Sequence, residues 1–333
     1  MKENILLVKF GALGDSIDTL WYLNSLSEQL NVSVLVLDKY SYIYRLVDKK
    51  FNTISIKSSK YKFLTIANLV YKSVINLFCN QKYVFVMQYS WKYRLFFLVF
   101  NPFSKVYSLK DLVELKSLRE SRVDREIRLI EKFTRIKIKK KIPDFNFSLD
   151  EKVKIDGPYI AYAIGGGNFY DDARNRKGPV SQISESLAGI SNLSLVLLGQ
   201  GESDLMRAKE FIAQNKNIRI LSYVNITDFM ETVSIIANSN FFIGYDSALL
   251  KIANILRKKG IALLGPTPAY LILGEDSTIT PITTDREISC MPCYKSSEGF
   301  KNMIFSCRDN VCIKSIAPAK INHVLLEGLK KIE

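Results

Sequence analysis

A chain of 333 residues, 47% hydrophobic and 24% charged, is long enough for two α/β cores and too apolar to be disordered. No apolar run reaches the roughly 18 residues of a membrane-spanning helix. The net charge of +14 sits mostly in one half: residues 1–150 hold 26 Lys/Arg against 14 Asp/Glu, and the rest hold 21 against 19.

In chain order, Ile5–Lys9 reads as a strand, followed by a helix from about Ser16 to Leu30. A strand at Val32–Leu37, a helix near Tyr42–Asp48 and a short strand at Thr53–Ile56 come next. A helix is expected before residue 76. Strands then fall at Tyr83–Gln88 and Lys105–Leu109, and a charged helix at Ser121–Thr134. Residues 136–157 pass through Pro143 and Gly157 and read as a linker. Beyond it, strands are predicted at Tyr159–Ile164, Leu193–Leu198, Arg219–Leu221, Asn240–Gly244 and Gly260–Leu264. Helices are expected at Pro179–Ala188, Glu202–Gln214, Thr227–Asn238, Ser247–Arg257 and Ala317–Lys331. Strands alternating with helices imply doubly wound parallel sheets. The expected division is 1–150 and 151–333.

Two glycine-bearing turns stand out. KFGALGDS, Lys9 to Ser16, follows the apolar run Ile5–Val8. IGYDSALLKIA, Ile243 to Ala253, follows Phe241 and Phe242. Each reads as strand, tight turn and helix start, which offers backbone N–H groups and a positive dipole end to an anion. Two such turns suggest two Rossmann-like domains facing a shared cleft. In the first, Gly11 and Gly14 permit a tight turn and close ligand approach. Asp15 then stands at or near the helix N-cap, a capping residue or a carboxylate able to take a proton. This is neither a full dinucleotide fingerprint nor a P-loop. A third turn, Gly165-Gly166-Gly167, precedes Asn168, Arg174, Arg176 and Lys177. Such a loop suits a departing diphosphate or is a charged surface loop.

Residues 51–100 hold seven Lys/Arg and no acid. An acidic partner for that half is one reading and a solvated lysine-rich surface the other. The aromatics Tyr89, Trp91, Tyr93, Phe96, Phe97, Phe100 and Phe103 lie in and just after it. They suit either a lipid-facing surface or a buried element. Cys290, Cys293, Cys307 and Cys312 have spacing compatible with a structural zinc or with reduced thiols tying down a loop. Cys79 reads as a small core residue and His323 as structural.

The stretches ILLVKFGALGDSIDTLWYLNSL, IAYAIGGG, LSLVLLGQGES, FFIGYDSALLKIA and IALLGPTPA, with the cysteine-bearing tail, together resemble glycosyltransferase family 9. This is the ADP-heptose:lipopolysaccharide heptosyltransferase family. The resemblance covers most of the chain and is weakest over residues 50–150. It implies a GT-B fold and metal-independent, inverting sugar transfer from a nucleotide-activated donor, with no catalytic cofactor. By the same resemblance Asp15 is the catalytic base, in a turn shaped by Gly11, Ala12 and Gly14. Arg176 and Lys177 meet the donor diphosphate. Glu231, or the nearby Asp228, meets the donor nucleotide, and Asp246-Ser247 is the phosphate-binding helix start. Ala248 stands where the family usually has glycine, and Lys251 where it usually has histidine.

The expectation is therefore a heptosyltransferase-like enzyme. Its donor, ADP-heptose or similar, binds the second domain. Its acceptor, an acidic lipid-linked glycan such as a lipopolysaccharide core, meets the basic first domain at an anionic membrane surface. Met1-Lys2-Glu3-Asn4 leads into a strand rather than a signal peptide, so a cytoplasmic site, peripheral on the inner membrane face, is expected. A non-catalytic or nucleic-acid-binding Rossmann protein is the alternative, but no common RNA motif supports it. A dehydrogenase lacks its full G-x-G-x-x-G.

Overall fold

The computed structural model describes residues 2–47, 50–58, 70, 80–112, 120–143, 145, 155–166, 176–190, 193–291, 293 and 309–330. The chain divides into two compact units, Met1–Asn146 and Phe147–Glu333.

Among its described residues the first unit holds five strands: β1 (Asn4–Lys9), β2 (Asn31–Leu37), β3 (Asn52–Ile56), β4 (Tyr83–Val86) and β5 (Lys105–Ser108). They are all parallel, in the order β3-β2-β1-β4-β5. The central β1 is apolar on both faces, and Ile5, Leu6, Leu7 and Val8 are fully buried. A run without polar alternation is what a sheet covered on both sides requires. Its α-helices among the described residues include α1 (Leu13–Gln29), α2 (Trp91–Phe100) and α3 (Arg122–Thr134).

Two local predictions are corrected. The helix expected near Tyr42–Asp48 is a 3-10 helix over Asp38–Arg45. The Asp38 carboxylate accepts from the backbone N–H of Lys39 and Ser58 and from the Ser58 hydroxyl, and the tyrosines here are indifferent helix formers. Helix α1 begins at Leu13 rather than near Ser16. Cys79 and the helix expected before residue 76 fall outside the described residues, Val70 excepted.

The second unit holds β6 (Tyr159–Ala163), β7 (Ser194–Leu198), β8 (Ile220–Ser222), β9 (Phe241–Tyr245), β10 (Gly260–Leu263) and β11 (Ile279–Ile282). These form a parallel sheet ordered β11-β10-β9-β6-β7-β8. Strand β11 was not predicted because Pro281 interrupts it. An edge strand tolerates that residue because its N–H side need not join the ladder. The helices are α4 (Val180–Ser186), α5 (Glu202–Gln214), α6 (Phe229–Asn238), α7 (Ala248–Ile255), α8 (Ala269–Ile272), α9 (Val311–Lys314) and α10 (Pro318–Lys330). Tyr162, Phe211, Phe241 and Leu325 lie in its continuous core.

Numbered within its own unit, each sheet runs 3-2-1-4-5, and the second adds a sixth strand. That is the Rossmann order. Its topological switch points are β1/β4 and β6/β9, and ligands of such sheets bind outside the carboxyl ends of the strands there. The α/β, doubly wound class with two Rossmann-like sheets of the GT-B kind is thus what the chain adopts.

Candidate functional site

Both glycine-bearing turns lie at switch points. In the first unit β1 ends at Lys9 and the chain turns through Phe10, Gly11 and Ala12 into α1. The turn is fastened to the neighbouring β4 end. The Met87 N–H donates to the Val8 carbonyl at 3.1 Å, and the Gln88 amide oxygen, oriented by its hydrogen bonds, accepts from the N–H of Phe10 (2.6 Å) and Gly11 (3.1 Å). Asp15 is the third residue of α1 rather than its N-cap. Its Oδ2 reaches back to accept from the Ala12 N–H at 2.9 Å. A Cβ on Gly11 would collide with that carboxylate, so glycine there leaves the space Asp15 occupies. Gly14 is the second residue of α1.

The other Asp15 oxygen, Oδ1, is 2.8 Å from Nη1 of Arg122 on α3. Arg122 also donates from Nε to Glu126 at 3.3 Å and from Nη2 to the Met87 carbonyl at 3.1 Å. Glu126 is fully buried and takes Lys9 Nζ on both oxygens, at 2.6 and 2.8 Å, and the Tyr22 hydroxyl at 2.8 Å. Lys9, at the end of the central strand, is itself fully buried. Burial pushes its ammonium pKa down, against the opposing pull of Glu126. Burial works against the Arg122 charge too, but Asp15, Glu126 and Asp18 outweigh it and hold its pKa above the ordinary value. The result is a chain of alternating charge, Lys9–Glu126–Arg122–Asp15, running from the core to the partly exposed carboxylate. Sequence reasoning passed over Arg122 and Glu126. The only signal was their spacing of four residues on a charged helix.

In the second unit Gly165 and Gly166 follow β6, and Asp246-Ser247 follow the adjacent β9. Gly166 is what lets these ends meet: a Cβ there would press Tyr245 at 3.1 Å and lie near Lys177 and Arg176. Asp246 is buried. It accepts from Thr267 Oγ1 at 2.7 Å and pairs with Arg176 Nη1 at 2.8 Å. Ser247 is the N-cap of α7 and accepts from the Leu250 N–H at 3.2 Å. Ala248 is the first residue of that helix and Lys251, half-buried, its fourth.

Lys177 differs from Arg176. It is buried, and its Nζ lies 2.9 Å from Asp204 and 3.2 Å from the Ser203 hydroxyl. Asp204 accepts from the Gln200 N–H and fills the space beside Gly165 and Gly199. This pair ties the ends of β6 and β7 to α5. Asp204 and Thr267 were not predicted. Thr267 lies within the GPTPA run, and the pairing of Leu263 with Tyr245 brings the loops after β10 and β9 side by side.

Glu231 and Asp228 form a reciprocal cap on α6. The Asp228 N–H donates to Glu231 at 2.8 Å and the Glu231 N–H to Asp228 at 2.9 Å, a capping box. Gly167, Asn168, Arg174 and Cys307 lie outside the described residues. Cys293 and Cys312 are buried and Cys290 partly so. Among the described residues no group of three or more His, Cys, Asp or Glu could hold a metal. His323 is exposed on α10, one turn from Glu327.

No protein-family model matches the chain, and no curated protein matches its sequence. Solved structures do match. A glycosyl transferase family 9 protein from Veillonella parvula superposes over 99% of this chain and 97% of its own, with TM-score 0.71 at 12% identity. E. coli ADP-heptose LPS heptosyltransferase II superposes over 99% of each chain, with TM-score 0.68 at 16% identity. E. coli heptosyltransferase WaaC with ADP superposes over 98% of this chain and 99% of its own, with TM-score 0.66 at 13% identity. From end to end, the chain has the fold of the family 9 heptosyltransferases.

Proposed function

We propose that this protein is a glycosyltransferase that moves a sugar, heptose or a close relative, from a nucleotide-sugar to an acidic lipid-linked glycan acceptor. The observation that carries the reading is Asp15. Its carboxylate stands at the switch point of a Rossmann unit, one oxygen fixed by the Ala12 N–H and the other by Arg122.

In this proposal the acceptor hydroxyl lies against Asp15, which takes its proton as the oxygen attacks the anomeric carbon. The bond from that carbon to the diphosphate breaks, and the nucleoside diphosphate leaves with the electron pair. Attack from the face opposite the leaving group inverts the anomeric centre. The family resemblance supplies this inverting, metal-independent course. The donor is assigned to the second unit. Arg176 and the N-terminus of α7 at Ser247 and Ala248 offer guanidinium and backbone N–H groups to the leaving phosphates. Lys251 adds a cation one turn on. Lys177 acts through Asp204, holding the strand ends in place. WaaC was solved with ADP, which makes an adenine nucleotide the first donor to test. The basic first unit and its anionic membrane surface complete the set of partners.

The test is a screen of nucleotide-sugars for protection against thermal unfolding and for slow hydrolysis, with Asp15→Asn as control. Protection by ADP-sugars, with hydrolysis that needs Asp15 and persists in a chelator, supports the proposal. Protection by NAD alone, or by RNA alone, overturns it.

A further inference from the structure

Helix α2 breaks the rule that a surface helix turns polar residues outward. Its inner face carries Tyr93, Phe96, Phe97 and Phe100. Phe97 is fully buried, and Tyr93 and Phe97 pack on Phe10 at ring-centroid distances of 5.3 and 6.5 Å. At 3.6 residues per turn, Trp91, Leu95, Leu98 and Val99 fall on the opposite face, within about 100° of arc. They are exposed by 57%, 52%, 42% and 63%, and Phe103 just beyond the helix by 94%. A ten-residue helix is thus apolar on both sides, with its outer side in water.

Charge says what covers that side. Residues 81–110 contain Lys82, Lys92, Arg94, Lys105 and Lys110 and not one Asp or Glu; of these, Arg94 pairs with Asp111 and Lys82 with Glu3. Lys92, Lys105 and Lys110 are exposed. An apolar stripe bearing Trp91 and Phe103, in a stretch whose exposed charges Lys92, Lys105 and Lys110 are all positive, matches an anionic bilayer interface. Acyl chains take the apolar side chains, the headgroup region takes the aromatic rings, and the acidic headgroups draw the lysines. Among the described residues no helix is long and apolar enough to cross a membrane, and α2 at ten residues is too short to span one.

We infer that the outer face of α2, with Phe103, is the surface by which this protein docks on anionic lipid. The inference rests on the membrane partner proposed above and narrows it to one helix. The placement has a consequence. Phe10, on which α2 packs, directly precedes the Gly11–Asp15 turn, so one helix, about 10–12 Å in diameter, separates the docked face from that residue. An acceptor carried by the same bilayer would then be presented close to Asp15.

The experiment uses the full chain and vesicles of phosphatidylcholine with and without phosphatidylglycerol, read by co-sedimentation and tryptophan emission. Binding to the anionic vesicles with a blue shift is expected, with little binding to neutral ones. The variant Leu95→Gln/Leu98→Gln/Val99→Gln leaves the charge unchanged and alters only exposed side chains. It should bind at least tenfold more weakly at physiological salt, where charge attraction is screened beyond about 8 Å. Lys92→Gln/Lys105→Gln/Lys110→Gln should lose binding chiefly at low salt. Circular dichroism and thermal unfolding confirm that both variants fold. Absence of wild-type binding overturns the inference, as does binding that the triple-glutamine apolar variant retains. It is also overturned if sedimentation shows a dimer that the apolar variant dissolves, since the face would then belong to a second copy. Transfer to a soluble acceptor is measured separately. Its loss with vesicle binding intact would count against the transferase reading alone, and its retention without vesicle binding against the docking face alone.

Discussion

Arg122 Nη1 lies 2.8 Å from Asp15 Oδ1 while the same guanidinium holds Glu126. The candidate base is therefore not a lone carboxylate on a turn. It is the outer end of a charge chain that begins at Lys9 in the core, and the predictions for the first unit follow from that chain.

Asp15→Asn preserves an oxygen to accept from the Ala12 N–H but cannot take a proton. Transfer should fall by roughly two to four decades while the melting temperature moves by a few degrees or less. Single-turnover assays beside a thermal melt measure both. Near-normal turnover would make Asp15 a structural residue of the α1 terminus.

Glu126→Gln leaves Lys9 charged and buried without its counter-ion, and breaking a buried pair costs about 3–5 kcal/mol. Replacing both, as Lys9→Met/Glu126→Gln, should recover much of that stability in urea unfolding. Transfer should stay impaired in the double variant, because Arg122 has lost the carboxylate that aims it at Asp15. Full activity in a well-folded double variant would separate the chain from the site.

Arg176 and Lys177 are neighbours with opposite expected behaviour. Arg176 is partly exposed and pairs with Asp246, whereas Lys177 is buried on Asp204. Arg176→Ala should weaken nucleoside diphosphate binding about tenfold or more in calorimetry, in keeping with about 1.5–3 kcal/mol for hydrogen bonds to charged groups, with a modest change in melting temperature. Lys177→Ala should instead lower stability by about 3–5 kcal/mol. The reverse pattern would reassign the diphosphate to Lys177.

Lys251→Ala should raise the donor KM several-fold, and Lys251→His should restore part of it if a cation one turn into α7 meets phosphate. Donor kinetics unchanged in both variants would take Lys251 out of the site.

Alkaline pH should unfold the protein in a defined sense. Tyr22 and Tyr162 are fully buried and burial pushes their phenols well above the ordinary value. Tyr44 is raised for the same reason. Folded-state pKa values above the unfolded value of about 10 mean that stability is intact below that pH and is lost as pH rises past it. Lys9, with a lowered pKa, contributes in the opposite direction over its own window. Tyrosinate absorbance should rise in two stages, the exposed rings first and the buried ones only with loss of circular dichroism. A single early transition without unfolding would contradict the burial.

The order of most strands, turns and helices was legible because each rests on local chemistry, whereas the helices α2, α8 and α9 were not predicted. Ile5–Val8 is a continuous apolar run, Ser247 and Asp228 cap the helices they precede, and Gly11 and Gly166 stand where a Cβ would collide. Those signals also marked Asp15, Asp246 and Ser247. Strand β11 escaped because Pro281 argues against a strand until its edge position is known. What holds the site together was out of reach for a different reason. Lys9 meets Glu126 across 117 residues, Lys177 meets Asp204 across 27, and Thr267 meets Asp246 across 21. A lysine that is fully buried and one that is exposed look the same in a sequence. Which of them finds a carboxylate is set by strand order and helix packing, since only the folded core removes water and makes a partner obligatory. The same holds for α2. Its apolar residues were plain in the sequence, but whether Trp91 and Leu95 faced the core or the solvent was decided by the packing of Phe97 against Phe10.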